Sequence, residues 1–299
     1  MARTVAVTGA TGLVGRRLVD ALRARGDAVV ALVRGAPRRE VPPGVEQRAW
    51  AAGDPSADLR GVDAVVNLAG APLAGGRWTP ARKQELERSR ILGTRAVVEG
   101  IRAAGGSVRV LVSASGVDFF GDTGDRRIDE STGPGTGFLP ALVERWEAEA
   151  LRARTWGARV VLLRTSLVLA REGGALASMR PPFRLGLGGP MGGGAQYWAW
   201  IHVDDEVGLV LHALDHDAVD GPMIAAAPHA VRQRDFARAL GRALHRPALA
   251  PAPRFALRAA LGEMADVLLA SHDAVPRVAL ETGYRFRHPD LDEALASVT

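Results

Sequence analysis

The chain has 299 residues, 47% of them hydrophobic and 24% charged, a balance that excludes disordered, coiled-coil and collagen-like classes. It holds no cysteine, which excludes a disulfide scaffold, a thiol nucleophile and thiolate metal sites. The formal net charge is +5, but the 38 basic residues, all arginine except Lys83, are dispersed among 33 acids in short pairs such as Arg16-Arg17 and Arg126-Arg127, so no nucleic-acid face is expected.

At ~150 residues per domain the length suggests two domains, or one large α/β domain with a lobe. Short β-branched runs alternate with amphipathic stretches through the first 165 residues. Strands are expected at Thr4–Thr8, Ala28–Val33, Ala64–Leu68, Val108–Ser113 and Arg159–Leu163. Val14, Leu18 and Leu22 form a helix face after the first of these, and longer helices are expected from about Pro80 to Ala104 and from about Phe138 to Thr155. Beyond Thr165 a glycine-rich stretch (186–194) reads as a loop at the edge of a substrate pocket. An aromatic patch follows at Tyr197, Trp198 and Trp200, with Trp198 and Trp200 as candidate pocket walls. Helical spacing returns in Phe236, Leu240, Leu244 and in Leu257, Leu261, Met264, Leu268. The expected fold class is α/β: a Rossmann-type doubly wound parallel sheet in residues 1–165 and a smaller, mostly helical C-terminal lobe in 166–299, with some elements shared. No run approaches the ~18 apolar residues of a membrane span. The N-terminus passes from Arg3 straight into a strand-like run without a secretory leader, so a cytoplasmic protein is expected.

Between the first strand and the first helix stand Gly9, Gly12 and Gly15. Their three-residue spacing gives a tight turn, close backbone approach to a pyrophosphate, and close helix–strand packing, with the helix N-terminus facing the phosphates. An NAD site ordinarily ends its second strand with an acid that holds the ribose 2′-OH. Here that strand ends Val33-Arg34-Gly35, and the guanidinium of Arg34 suits a 2′-phosphate. NADP(H) is therefore expected over NAD(H).

These residues carry a family likeness. Thr8-Gly-Ala-Thr-Gly-Leu-Val-Gly15, Asn67-Leu-Ala-Gly70 and Ser113-Ala-Ser115 resemble an extended short-chain dehydrogenase/reductase. Arg77-Trp78-Thr79, Ser89-Arg90, the run Pro181–Pro190, Trp200–Asp205, His245-Arg-Pro247 and Leu261–Asp266 resemble one atypical branch, the uncharacterised epimerase/dehydratase-like family with its own C-terminal helical domain. The resemblance implies a cofactor site at Gly9, Thr11, Gly12, Leu13, Val14, Gly15, Arg34, Leu68, Ala69, Gly70, Ser113 and Arg164. It also implies a small-molecule substrate at the nicotinamide end, and a monomer or homodimer.

Most members of that superfamily use a Tyr-x-x-x-Lys pair for proton exchange. Four residues beyond Tyr197 and Tyr284 lie Ile201 and His288, and Lys83 pairs with neither, so the usual pair is missing. The branch also follows its Ser-Ala-Ser with Gly-Tyr-Tyr-Gly, where this chain has Val117-Asp118-Phe119-Phe120-Gly121. Three catalytic candidates remain. Ser115 could hydrogen-bond a substrate oxygen, and Asp118 is either a general acid/base with a burial-raised pKa or a turn residue. Arg90 shares a helix face with Leu86, Gly93, Val97 and Ile101, so it meets either a substrate or cofactor anion or a structural carboxylate. The expected function is an NADP(H)-binding, epimerase- or reductase-like oxidoreductase. A non-redox dehydratase, isomerase or cyclase and an inactive cofactor-binding sensor are the alternatives. His202-Val-Asp204-Asp205 reads as a helix start capped by Asp, and no metal site is expected.

Overall fold

The computed structural model describes residues 2–74 and 76–299. Seven strands form one sheet: β1 (Thr4–Thr8), β2 (Ala28–Val33), β3 (Glu46–Ala49), β4 (Ala64–Asn67), β5 (Val110–Gly116), β6 (Arg159–Thr165) and β7 (Gly221–Ala225). Their spatial order is 7-6-5-4-1-2-3, and every neighbouring pair is parallel. The order reverses between β1 and β4, the switch point where doubly wound sheets bind their ligands.

Period-2 alternation divides the strand residues between two helical layers. Val5, Val7, Ala31, Val66, Val112 and Leu163 face a core with α1 (Leu13–Ala24). Ala6, Val30, Leu32, Val65, Leu111 and Leu162 face the opposite core, with α2 (Pro80–Ala103) and α3 (Phe138–Leu151). The expected strands and helices are thus present within a few residues; the third helix ends at Leu151 and runs on as a tighter turn, Arg152–Trp156. β3 escaped sequence reasoning because Glu46-Gln-Arg-Ala49 is a polar edge strand with no apolar alternation.

Past β6 the chain forms α4 (Gly174–Arg184), then α5 (Val203–Asp215), which returns to the sheet beside α1. After β7 come α6 (Gln233–Ala243), α7 (Arg254–Leu261), α8 (Ala265–Leu269), α9 (Arg277–Glu281) and α10 (Leu291–Val298). Phe183, Trp198, Trp200, Phe236, Leu240 and Leu295 build a separate core of this lobe with α4, α6 and α10. The 186–194 stretch belongs to this lobe. A Cβ on Gly188 would stand 2.4 Å from the Phe183 ring and one on Gly189 2.2 Å from the Ala250 carbonyl oxygen, so these glycines serve packing; none of 186–194 lines the cavities described below. No helix among the described residues is long and apolar enough to cross a membrane.

Candidate functional site

A cleft of about 770 Å³ runs along the carboxyl ends of β1, β2 and β4. Its floor is the glycine turn. Gly9 adopts a left-handed φ of 68° and its carbonyl accepts the Gly12 N–H at 2.8 Å. A Cβ on Gly15 would lie 2.1 Å from that carbonyl oxygen, so only glycine lets α1 start this close to β1. α1 then begins at Leu13 with no side-chain cap on Gly12 and no acid in its first turn. The positive end of the helix is left facing the cleft.

Gly9, Thr11, Gly12, Arg34, Leu68, Ala69 and Gly70 all line the cleft, joined by Arg38 and Arg88. Leu13 and Val14 contribute the first turn of α1, and Gly15 the close packing beneath it. Arg38 and Arg88 were missed because isolated arginines in an arginine-rich chain carry no spacing signal.

Beneath the cleft the strand ends are tied by buried side chains. Thr8 Oγ1 donates to Asn67 Oδ1 at 2.7 Å and accepts the Ala69 N–H at 3.0 Å. Asn67 Nδ2 donates to Thr94 Oγ1 at 2.9 Å and to Ser113 Oγ at 3.4 Å, and Trp146 Nε1 donates to Thr94 Oγ1 at 2.8 Å. Ser113, expected at the cofactor, is therefore fully buried beneath the floor.

Two further candidates lie away from the cleft. Ser115 donates its hydroxyl to Glu147 Oε1 at 2.5 Å, is buried, and lines none of the three cavities. Arg164 is held by the same carboxylate, Nε to Oε1 and Nη2 to Oε2 both at 2.9 Å, with its guanidinium carbon 3.5 Å from the Phe119 ring centroid. It stands in a closed ion pair and lines none of the cleft. The reason is period 2: Leu111, Ser113 and Ser115 share one strand face, which points at the α2/α3 layer.

Arg90 is buried under Gly70, where a Cβ would stand 3.5 Å from its guanidinium carbon. Its Nη1 donates to Ala71 O at 3.0 Å and to Leu86 O at 3.4 Å, and it lies over the Trp146 ring. No carboxylate forms a salt bridge with it among the described residues, so the structural-pair reading is not met. Burial lowers its pKa to about 10, partly offset by the nearby Asp118 carboxyl. Neighbouring Ser89 accepts the Ala71 N–H at 3.0 Å, so Ser89-Arg90 clamps the loop after β4 at both backbone atoms.

Asp118 sits in the turn Val117–Phe120 after β5 and faces two cavities, of about 240 and 210 Å³, between the sheet edge and the lobe. His272 faces both as well. Its placement follows from a cross-chain lattice of bonds: Ser271 N–H to Asp122 Oδ1 at 3.1 Å, Thr123 N–H to Ser271 O at 3.1 Å, His272 N–H to Tyr197 O at 2.8 Å, and Asp273–Ala274 paired with Arg127–Ile128. Burial raises the Asp118 pKa and lowers that of His272, and each group partly offsets the other. Nothing in the sequence joined these two positions. Trp198 also lines the larger cavity as expected, whereas Trp200 is a core residue whose Nε1 donates to His229 O.

Neither tyrosine lines the three cavities. Tyr284 donates its hydroxyl to Asp205 Oδ1 at 3.0 Å, and burial with that carboxylate pushes its pKa up. Tyr197 stacks on Arg232. The start of α5 is capped by His202, whose Nδ1 accepts the Asp204 N–H at 3.1 Å, rather than by an aspartate. His202, Asp204 and His288 approach one another at metal-ligand spacing, but that His202 nitrogen is taken and Arg17 lies 3.3 Å from Asp204.

A parallel doubly wound sheet with an uncapped glycine turn at its switch point defines a dinucleotide-binding α/β protein. The model of the NAD dependent epimerase/dehydratase family matches residues 5–226, and that of a C-terminal domain of unknown function matches 252–298. The chain belongs to the NAD dependent epimerase/dehydratase family. The epimerase family protein ML0860 of Mycobacterium leprae is 40% identical over 99% of this chain and 95% of its own. A chloroplastic SDR39U1 homolog of Arabidopsis thaliana is 40% identical over 99% of this chain and 86% of its own. The crystal structure of the human epimerase family protein SDR39U1 with NADPH superposes with a TM-score of 0.89 at 35% identity, covering 99% of this chain and 98% of the human one.

Proposed function

We propose that this chain is a cytoplasmic, NADP(H)-dependent, epimerase- or reductase-like oxidoreductase of the extended short-chain dehydrogenase/reductase type, working without a Tyr-x-x-x-Lys pair. The observation that carries the reading is the glycine cradle, which an added Cβ would fill, with arginine rather than an acid at the end of β2. The residues present fit a dinucleotide. Gly9, Thr11, Gly12 and the first turn at Leu13 and Val14 would hold its pyrophosphate, Arg34 and Arg38 a 2′-phosphate, and Leu68, Ala69 and Gly70 the wall of the cleft. When bound, it supplies hydride exchange at its nicotinamide. Residues 1–165 carry the cofactor and 166–299 close the substrate side. Arg90 fixes the loop that bounds the site, and Asp118 is the group that holds a proton at the substrate end.

Support for NADPH comes from the human relative crystallised with it. Calorimetry with NADPH and NADH tests the reading, with Arg34→Ala alongside. Losing a charge-assisted contact of ~1.5–3 kcal/mol weakens NADPH binding about tenfold or more, with NADH little changed. No binding of either nucleotide, or equal loss of both, would overturn it. A second reading, an inactive NADP(H)-binding sensor, is favoured by one observation: the Ser115 hydroxyl is occupied by Glu147.

A further inference from the structure

The loop of residues 34–45, between β2 and β3, carries two of the arginines that line the cofactor cleft, Arg34 and Arg38. Neither forms a salt bridge among the described residues, not even with Glu40, which lines the same cleft. A loop of this length leaves an arginine many positions, and that freedom must be given up before the side chain can hold an anion.

Gln47 on β3 removes much of it in advance. Its Oε1 accepts the Arg38 N–H at 2.7 Å, and its Nε2 donates to the Arg38 carbonyl at 3.2 Å. The same carbonyl accepts the Val41 N–H at 3.2 Å, and Val41 is buried in the core shared with α1. With its backbone held, Arg38 folds back so that Nη2 donates to the Arg34 carbonyl at 3.1 Å. The Arg38 guanidinium is thereby kept beside Arg34 at the end of β2. A primary amide suits this clamp because it offers a donor and an acceptor side by side, without charge, to one residue's N–H and C=O. A carboxylate would lack the donor and set a negative charge beside an anion site. Gln47 itself lines none of the cleft, so it acts on a ligand there through Arg38.

We propose that Gln47 is a positioning residue for the 2′-phosphate of the cofactor: by fixing Arg38 beside Arg34 it sets the preference for NADP(H) over NAD(H). This rests on the cofactor reading above and adds to it a residue of the polar edge strand. A dinucleotide without the 2′-phosphate gains nothing from a fixed Arg38. The clamp therefore governs selectivity, whereas a merely structural role would weaken both nucleotides alike.

The test is calorimetry on the full-length protein with NADPH, NADH and adenosine 2′,5′-bisphosphate, which carries the 2′-phosphate without the nicotinamide. Gln47→Ala should weaken NADPH and the bisphosphate about five- to tenfold and leave NADH within about twofold. Gln47→Met keeps the length of the side chain without its polar atoms and should do the same, and Gln47→Glu should weaken NADPH at least as much. Arg38→Ala should also weaken NADPH selectively. Adding Gln47→Ala to Arg38→Ala should change NADPH affinity by no more than about twofold, because two residues that act through one contact are not additive. Unchanged NADPH affinity in the Gln47 variants, equal loss of both dinucleotides, or an additive double variant would overturn the proposal. If Arg34→Ala is selective and the Gln47 variants are not, the clamp falls and the cofactor reading stands. If the unmodified protein binds neither dinucleotide, the cofactor reading falls and takes the clamp's role with it.

Discussion

Glu147 shows how much a single side chain decides here. It is 5% exposed, takes both donors of the Arg164 fork and accepts the Ser115 hydroxyl, so two expected site residues meet on a residue that no motif marked. Glu147→Ala leaves the Arg164 charge buried without a counter-ion, and Arg164 Nη1 already lacks a partner. The expected cost is ~3–5 kcal/mol of stability, read from the urea midpoint. Glu147→Gln keeps an acceptor and should lose less. Arg90 is the counterpart: its burial was legible from the stripe it shares with Leu86, Val97 and Ile101, because helical spacing fixes a residue's face. Its partners were not legible, since they are carbonyls on a loop brought beside α2 only by folding.

At the scale of elements, the turn from β1 to α1 was readable almost atom by atom. Three glycines, a preceding β-branched strand and a following 3.6-residue period determine the local geometry. Gly15→Ala should be severe, because its Cβ would stand 2.1 Å from Gly9 O and 2.8 Å from Gly9 C, both backbone atoms that cannot move without reopening the turn. An overpacking cost of ~1–3 kcal/mol in thermal unfolding is expected, with NADPH affinity falling by more than tenfold as the cradle widens. A variant that binds NADPH normally would show that the cradle does not hold the pyrophosphate. The edge strand β3 illustrates the opposite case. Its residues Glu46–Ala49 gain strand geometry from pairing with β2, not from their own pattern.

At the scale of the whole molecule, the sheet and the lobe are joined through buried carboxyls. Asp205 is fully buried and accepts Tyr284 O–H, Arg287 N–H at 2.8 Å and His288 N–H at 2.9 Å, fastening the C-terminal segment to α5. Glu206 beside it accepts Thr165 Oγ1 at 2.6 Å, and its other oxygen has no partner. Burial pushes the Glu206 pKa up to about 7. The folded state therefore keeps a proton that the unfolded chain releases near its ordinary value of ~4.3. The associated stability is complete below that value and is lost as pH rises towards 7, by ~3 kcal/mol. Asp118, also raised, slopes the same way. Glu206→Gln should accordingly flatten the decline between pH 5 and 7 in urea unfolding, and an unchanged slope would show that Glu206 is ionised in the fold.

The sequence by itself determined the layers, the strand and helix order of the first 165 residues apart from the edge strand β3, and the glycine turn with Arg34 beyond it, because each is a local pattern whose geometry depends on neighbours a few residues away. Only the tertiary structure decided what the polar side chains do. Ser113, Ser115 and Arg164 turn into the α2/α3 layer, Arg90 meets a loop rather than a carboxylate, and His272 reaches Asp118 from the far end of the chain. Hydrogen-bond partners and buried charges depend on distances between remote segments, and no spacing along the chain encodes those distances.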